Sequence, residues 1–165
     1  MARKLIEIMD TTLRDGEQTS GVSYTPNEKL TIAKFLIDKL NIDRIEVASA
    51  KVSDGELESV KKITNWAKKN KKINCIEVLT FVDNGLSIDW ISRANCKVQN
   101  LLTKGSLNHL KYQLKKTPKD HFNDISKVLK KASAKKIITN VYLEDWSNGM
   151  KNSKKYVFEY LEFLY

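Results

Sequence analysis

The 165-residue chain is 41% apolar, 30% charged and 8% aromatic, which suits one domain with a filled core and excludes a disordered chain. No run approaches the about 18 apolar residues of a membrane span, and the opening MARKLIEIMD has no apolar stretch long enough for a secretory signal. The net charge of +9 is almost all lysine, with only Arg3, Arg14, Arg44 and Arg93 offering a guanidinium fork, and the lysine pairs fall on stretches that read as solvated helix faces, so neither a nucleic-acid nor a membrane partner is expected.

In chain order, hydrophobic periodicity predicts strands over 4–10, 44–49, 73–81, 97–103 and 137–145. Amphipathic stretches lie between them. Thr25-Pro26-Asn27-Glu28 combines a Thr N-cap, Pro at the first helical position and Glu three residues after the cap. Ser53-Asp54-Gly55-Glu56 reads as a second capping box, opening a helix with Leu57, Val60, Ile63 and Ala67 on its apolar face. Thr117-Pro118 opens another, with Phe122, Ile125, Val128 and Leu129 at helical spacing, and 153–165 reads as a final helix. Cys75 and Cys96 form no CxxC pair, so neither a disulfide framework nor a zinc knuckle is indicated, and a reducing, cytoplasmic setting is expected.

Strand–helix alternation repeated five times implies parallel strands with right-handed crossovers, either as an open doubly wound sheet or as a (β/α)8 barrel. The open sheet usually carries a Gly-rich phosphate turn after its first strand, whereas here only Gly16 occurs in that turn. A barrel instead places functional polar residues at the C-terminal ends of several strands. Asp10, Glu46, Glu144 and Asp145 fit that placement, with Asn140, Tyr142 and Glu144 on one face of the fifth strand. The expected fold is therefore a TIM barrel, of which residues 1–165 supply about the first five β/α units of a single catalytic domain. A complete barrel needs about 250 residues, so the chain is expected to be a truncated piece rather than a natural half-barrel.

The loop after the first strand concentrates Asp10, Arg14, Asp15, Glu17 and Gln18 within nine positions. Acidic side chains there suit a hard divalent cation, and a neighbouring guanidinium suits an anionic substrate or a developing oxyanion; a solvated polar turn is the plain alternative.

The run Asp10-Thr11-Thr12-Leu13-Arg14-Asp15-Gly16-Glu17-Gln18-Thr19 resembles the signature of the acyl-CoA condensing enzymes, the isopropylmalate, homocitrate and citramalate synthases. These stand with hydroxymethylglutaryl-CoA lyase in the DRE-TIM metallolyase superfamily. RIEVASAKVSDGE, IEVLTFVDNG, KVQNLLTKGS and NVYLEDWSNG extend the similarity along the chain, and the last looks most like citramalate synthases.

The resemblance implies a role for each matching residue. Asp15 is a ligand to a divalent metal (Mg²⁺, Mn²⁺ or Zn²⁺), and Arg14 stabilises negative charge on the keto oxygen. Gln18 helps orient the 2-oxo acid, and Glu46 supports the arginine and the metal shell. Glu144 is the general base for the acetyl methyl, or the group that positions the base, against the alternative of a solvated carboxylate. Leu79, Leu102 and Tyr142 resemble the apolar pocket around the methyl of pyruvate, against the alternative of ordinary core aliphatics.

The implied reaction is condensation of acetyl-CoA with a 2-oxo acid in leucine or isoleucine biosynthesis, by a homodimer when full length. Pyruvate leads and 2-oxoisovalerate follows. A hydroxymethylglutaryl-CoA-lyase-like cleavage enzyme and a non-catalytic half-barrel binding module are the other readings. One departure stands out: the family's HxH metal ligands are absent, since His109 and His121 are the chain's only histidines. Both fall in helix-like stretches, where surface or packing roles are expected.

Overall fold

A computed structural model describes residues 6–165. Strands β1 (Met9–Asp10), β2 (Arg44–Ser49), β3 (Ile76–Phe81), β4 (Val98–Lys104) and β5 (Ile138–Glu144) form one five-stranded sheet in chain order, β1-β2-β3-β4-β5. A doubly wound sheet would reverse direction from an inner strand. Sequential order is that of a (β/α) barrel, so the sheet decides between the two architectures the alternation allowed.

The first strand is shorter than its apolar pattern. Lys4 and Leu5 lie outside the described residues, and pairing begins only at Met9, because the Ile8 N–H donates to the Asp43 carboxylate at 2.7 Å. Residues Ile73–Cys75, expected as strand, form a turn of 3₁₀ helix after Lys71 takes a left-handed conformation at φ 59°. The remaining strand boundaries shift by about one residue, as ladder ends do. Among the described residues no helix is long and apolar enough to cross a membrane.

The chain divides into two compact units. The first runs to Leu79 and includes Asp89–Gln99; the second comprises Thr80–Ile88 and Asn100–Tyr165. In the first, helices α1 (Pro26–Asp38) and α2 (Asp54–Lys69) cover the strands, burying Ala33, Leu36, Ile37, Val60, Ile63 and Ala67. β1 pairs with β2, and β2 with β3, in parallel. Between the β2–β3 pairs Glu46–Glu77 and Ser49–Leu79, Val47 and Ala48 oppose a single residue, a bulge that re-aims the end of β2.

α1 begins with the full capping box the sequence predicts: Thr25 Oγ1 accepts from the Glu28 N–H, and Glu28 returns a bond to the Thr25 N–H at 2.7 Å. α2 has only half of one. Ser53 Oγ accepts from the Glu56 N–H at 3.1 Å, while the Glu56 carboxylate is drawn instead to the Lys29 ammonium at 2.6 Å.

Helices α3 (Leu86–Arg93) and α4 (Leu107–His109) come next in the chain, and in the second unit α5 (Pro118–Ala134) and α7 (Lys154–Leu164) bury Ile125, Val128, Tyr156, Val157 and Tyr160. Helix α6 (Trp146–Asn152) follows β5 directly. Its Gly149 packs on the backbone just past β4, where a Cβ would lie 1.9 Å from the Gly105 carbonyl oxygen, so only glycine permits this approach. The Gly105 N–H in turn donates to the Glu144 carbonyl at 2.7 Å, which fixes the end of β5.

Candidate active site

The loop after β1 folds around one carbonyl. Thr11 O accepts from the N–H groups of Arg14, Asp15 and Gly16 at 3.1, 2.8 and 3.3 Å. The Asp10 carboxylate turns back to cap Thr12 through its N–H and hydroxyl. Leu13 is fully buried and anchors the turn in the core, so the next side chain, Arg14, is directed over the end of β2.

There Arg14 Nε donates to Glu46 Oε2 at 2.5 Å and its Nη1 donates to Asp15 Oδ1 at 2.6 Å. Neither pair uses Nη2. Glu46 has no exposed side-chain surface, whereas Asp15 keeps 60% of its own. Arg14 is thus held from behind by a buried carboxylate, with its far edge left to meet an anion.

Glu46 stands in register with Glu77, also buried, and two carboxylates side by side repel each other. Each is neutralised by its own arginine: Arg44 grips Glu77 with two bonds, of 2.5 and 3.1 Å.

Beside Arg14 lies a cleft of about 340 Å³, lined by Gln18, Ser23, Ser49 and Ser53 among others. Glu17 and Glu56 also line it, and both are ion-paired to Lys29, at 2.5 and 2.6 Å. Lys29 is fully buried. Its role is absent from a reading of the loop motif, yet α1 signalled it: Lys29 shares a helical face with Ala33 and Leu36, a cation in an apolar stripe.

Among the described residues no three His, Cys, Asp or Glu side chains converge as a metal-ligand set. Asp15 offers a single outward carboxylate, so the described residues do not by themselves make a divalent-cation site.

The second unit holds its own constellation. Leu102, Tyr142, Glu144 and Trp146 line a cavity of about 600 Å³ at the end of β5. Glu144 is half-exposed and ion-paired with Lys104 Nζ, so its carboxylate is not simply solvated. The Lys104 peptide is itself held at both ends: its N–H donates to His121 Nε2 at 3.3 Å and its carbonyl accepts from the Tyr156 hydroxyl at 2.7 Å. Asp145 leaves the strand in a left-handed conformation and accepts from Ser106 Oγ at 2.6 Å, which keeps its carboxyl below the usual range.

His121 is a packing residue, buried against Tyr160. Burial, then Lys116, pushes its imidazole down to about 4. Of the three expected apolar pocket residues, Leu102 and Tyr142 share the β5 cavity. Leu79 is buried in the first unit, where its carbonyl accepts from the Ala50 N–H at 2.8 Å, and it lines neither cavity described above.

Comparison with known proteins matches this chain to the HMGL-like family over residues 5–162. It is 41% identical to the (R)-citramalate synthase CimA of Methanocaldococcus jannaschii over 143 residues, covering 86% of this chain and 28% of that protein. It is 42% identical to a 2-isopropylmalate synthase of Pyrococcus furiosus over 120 residues, covering 73% of this chain and 23% of that one. The chain thus spans about a quarter of the length of these relatives. Among solved structures, an HMG-CoA lyase from Acenitobacter baumannii in complex with coenzyme A and 3-methylmalate superposes with a TM-score of 0.61 at 20% identity. The match covers 96% of this chain and 52% of the lyase, a likeness of fold.

Proposed function

The chain belongs to the HMGL-like family, and from that premise we propose that it serves an acetyl-CoA-dependent condensing enzyme acting on a 2-oxo acid, with pyruvate as substrate and citramalate as product. The carrying observation is Arg14, seized at Nε and Nη1 by Glu46 and Asp15 at the mouth of a polar cleft. A guanidinium fixed by a buried carboxylate is pre-aimed at developing negative charge and needs no reorganisation when that charge appears.

In the proposed reaction a base takes a proton from the acetyl methyl, and the resulting carbon nucleophile adds to the keto carbon. The keto oxygen becomes an alkoxide. Arg14 faces that oxygen with its unused Nη2, and Gln18 orients the substrate carboxylate from the cleft wall. Water then cleaves the thioester, releasing CoA and the 2-hydroxy dicarboxylate. Glu144, steadied by Lys104, is the candidate base. Dependence on a divalent cation is part of the proposal: Asp15 is the one carboxylate the resemblance assigns to it, and the cation would supply Lewis acidity to the keto group.

Leu102 and Tyr142, at one cavity with Glu144, support the small substrate. A 2-isopropylmalate synthase acting on 2-oxoisovalerate is the second reading, favoured by the 42% identity to the Pyrococcus protein. The two substrates differ by an isopropyl for a methyl group, a discrimination worth about 1–3 kcal/mol per methylene in an apolar pocket. Mass analysis of products from acetyl-CoA with each 2-oxo acid in separate reactions decides between them. Citramalate from pyruvate supports the first reading, and isopropylmalate alone supports the second.

A further inference from the structure

We propose that Lys29 is the positioning residue for Arg14, a buried cation that ties the two walls of the cleft together and sets the guanidinium's aim. The functional sense of that aim rests on the condensing reading above; the placement itself does not.

The Lys29 ammonium has no exposed surface and meets three acceptors from two separate segments: Leu13 O at 3.3 Å, Glu17 Oε2 at 2.5 Å and Glu56 Oε1 at 2.6 Å. The Leu13 carbonyl belongs to the peptide whose nitrogen is that of Arg14, so this bond fixes the plane from which the arginine side chain departs. Glu17 continues the clamp: its second oxygen accepts from the Tyr24 N–H at 2.9 Å, closing the loop between 13 and 24 on itself. Glu56 stands in the first turn of α2 and forgoes its own capping bond to reach Lys29. One side chain therefore links the strand-one loop, which carries Arg14 and Gln18, to the α2 end, which carries Ser53.

A lysine placed here for packing alone would be poorly chosen. A buried ammonium with its two carboxylates is often no more stabilising than an apolar cluster of the same volume. What the ion pairs add is direction, since three bonds from one nitrogen define the loop's position against α2.

The test reads the arginine without requiring turnover. The chain contains four arginines, Arg3, Arg14, Arg44 and Arg93, so selectively ¹⁵N-labelled protein gives four Nε–H signals. Arg14 and Arg44 are each anchored by a buried glutamate, and Arg44, held by Glu77 away from the Lys29 clamp, is the internal control. In Lys29→Met the Arg14 Nε–H signal is expected to move and its exchange with water to quicken by about tenfold or more, with the Arg44 signal unchanged. An Arg14 signal unmoved in a protein of lowered melting temperature would reduce Lys29 to a structural role and overturn the proposal.

Should Lys29→Met fail to fold with its two carboxylates stranded, the triple variant Lys29→Met, Glu17→Gln, Glu56→Gln removes those charges. It is expected to show the same Arg14-specific change. Loss of the Arg14 and Arg44 signals together in the triple variant would also overturn the proposal. If the wild-type protein releases no CoA from any 2-oxo acid, the condensing reading fails while these signals still report the clamp. If it does release CoA, Lys29→Met is expected to lower kcat by about tenfold or more, with a smaller change in KM.

Discussion

Removing Arg14 should cost stability as well as activity, and a mutant cycle separates the two. Glu46 is fully buried and accepts from the Arg14 Nε at 2.5 Å, so Arg14→Met takes the arginine's charge away from a carboxylate in the core. Breaking a buried pair from one side costs about 3–5 kcal/mol; because Arg14 keeps 16% exposure, the low end, about 3 kcal/mol, is expected. Glu46→Gln keeps an acceptor for Nε and should cost about 1 kcal/mol. With both changes the buried carboxylate charge is gone as well, and the double variant should lose about 1–2 kcal/mol, a coupling of about 2–3 kcal/mol. Urea unfolding of the four proteins measures the cycle. Additivity within about 0.5 kcal/mol would refute the reasoning, for it would mean that Glu46 does not hold the arginine. The double variant should fold and release no CoA, because the charge facing the keto oxygen is gone.

Three further outcomes follow from particular atoms. Gly149→Ala drives a Cβ to within 1.9 Å of the Gly105 carbonyl and should destabilise the chain by about 3 kcal/mol; a cost under about 1 kcal/mol in thermal unfolding would show that α6 is not seated on β4 as described. In the folded chain burial pushes the His121 imidazole down from 6.5 to about 4, so the unfolded state binds the extra proton between those values. Stability should therefore fall as pH falls from 6.5 to about 4, by up to about 3 kcal/mol, and His121→Gln should lose that slope; parallel pH curves for the two proteins would contradict it. Cys96 is buried, with its thiol pushed up to about 11, and Cys75 is half-buried and also raised by burial. In native protein a thiol reagent should label Cys75 slowly and spare Cys96, with both reacting in denaturant; rapid labelling of two thiols in native protein would contradict this burial.

Strand order was legible in the sequence because it follows from signals that act locally, whereas the Arg14–Glu46 pair, 32 residues apart, was reached only through the family resemblance. Alternation of apolar residues located β2 to within its observed ends, and the Thr25 box fixed the start of α1. The Asp10–Thr19 run pointed to the arginine, and the resemblance it carries assigned Glu46 to the arginine's support. What escaped depends on contacts distant in the chain. The Lys29 clamp joins positions 27 residues apart and diverts Glu56 from a capping box that local spacing predicts. Lys104 likewise reaches Glu144 across 40 residues, which no periodicity announces. The start of β1 failed for the same reason, since the Asp43 side chain, not the apolar pattern, claims the Ile8 N–H.

The most direct test of the account is CoA release by the intact protein supplied with acetyl-CoA, a divalent cation and a 2-oxo acid, read with a thiol reagent against the Cys75 background. Release that requires the 2-oxo acid, is fastest with pyruvate and is abolished in the folded Arg14→Met, Glu46→Gln variant is the predicted result. No release with either pyruvate or 2-oxoisovalerate from folded, metal-supplied protein, or release that persists without the Arg14 guanidinium, would contradict it.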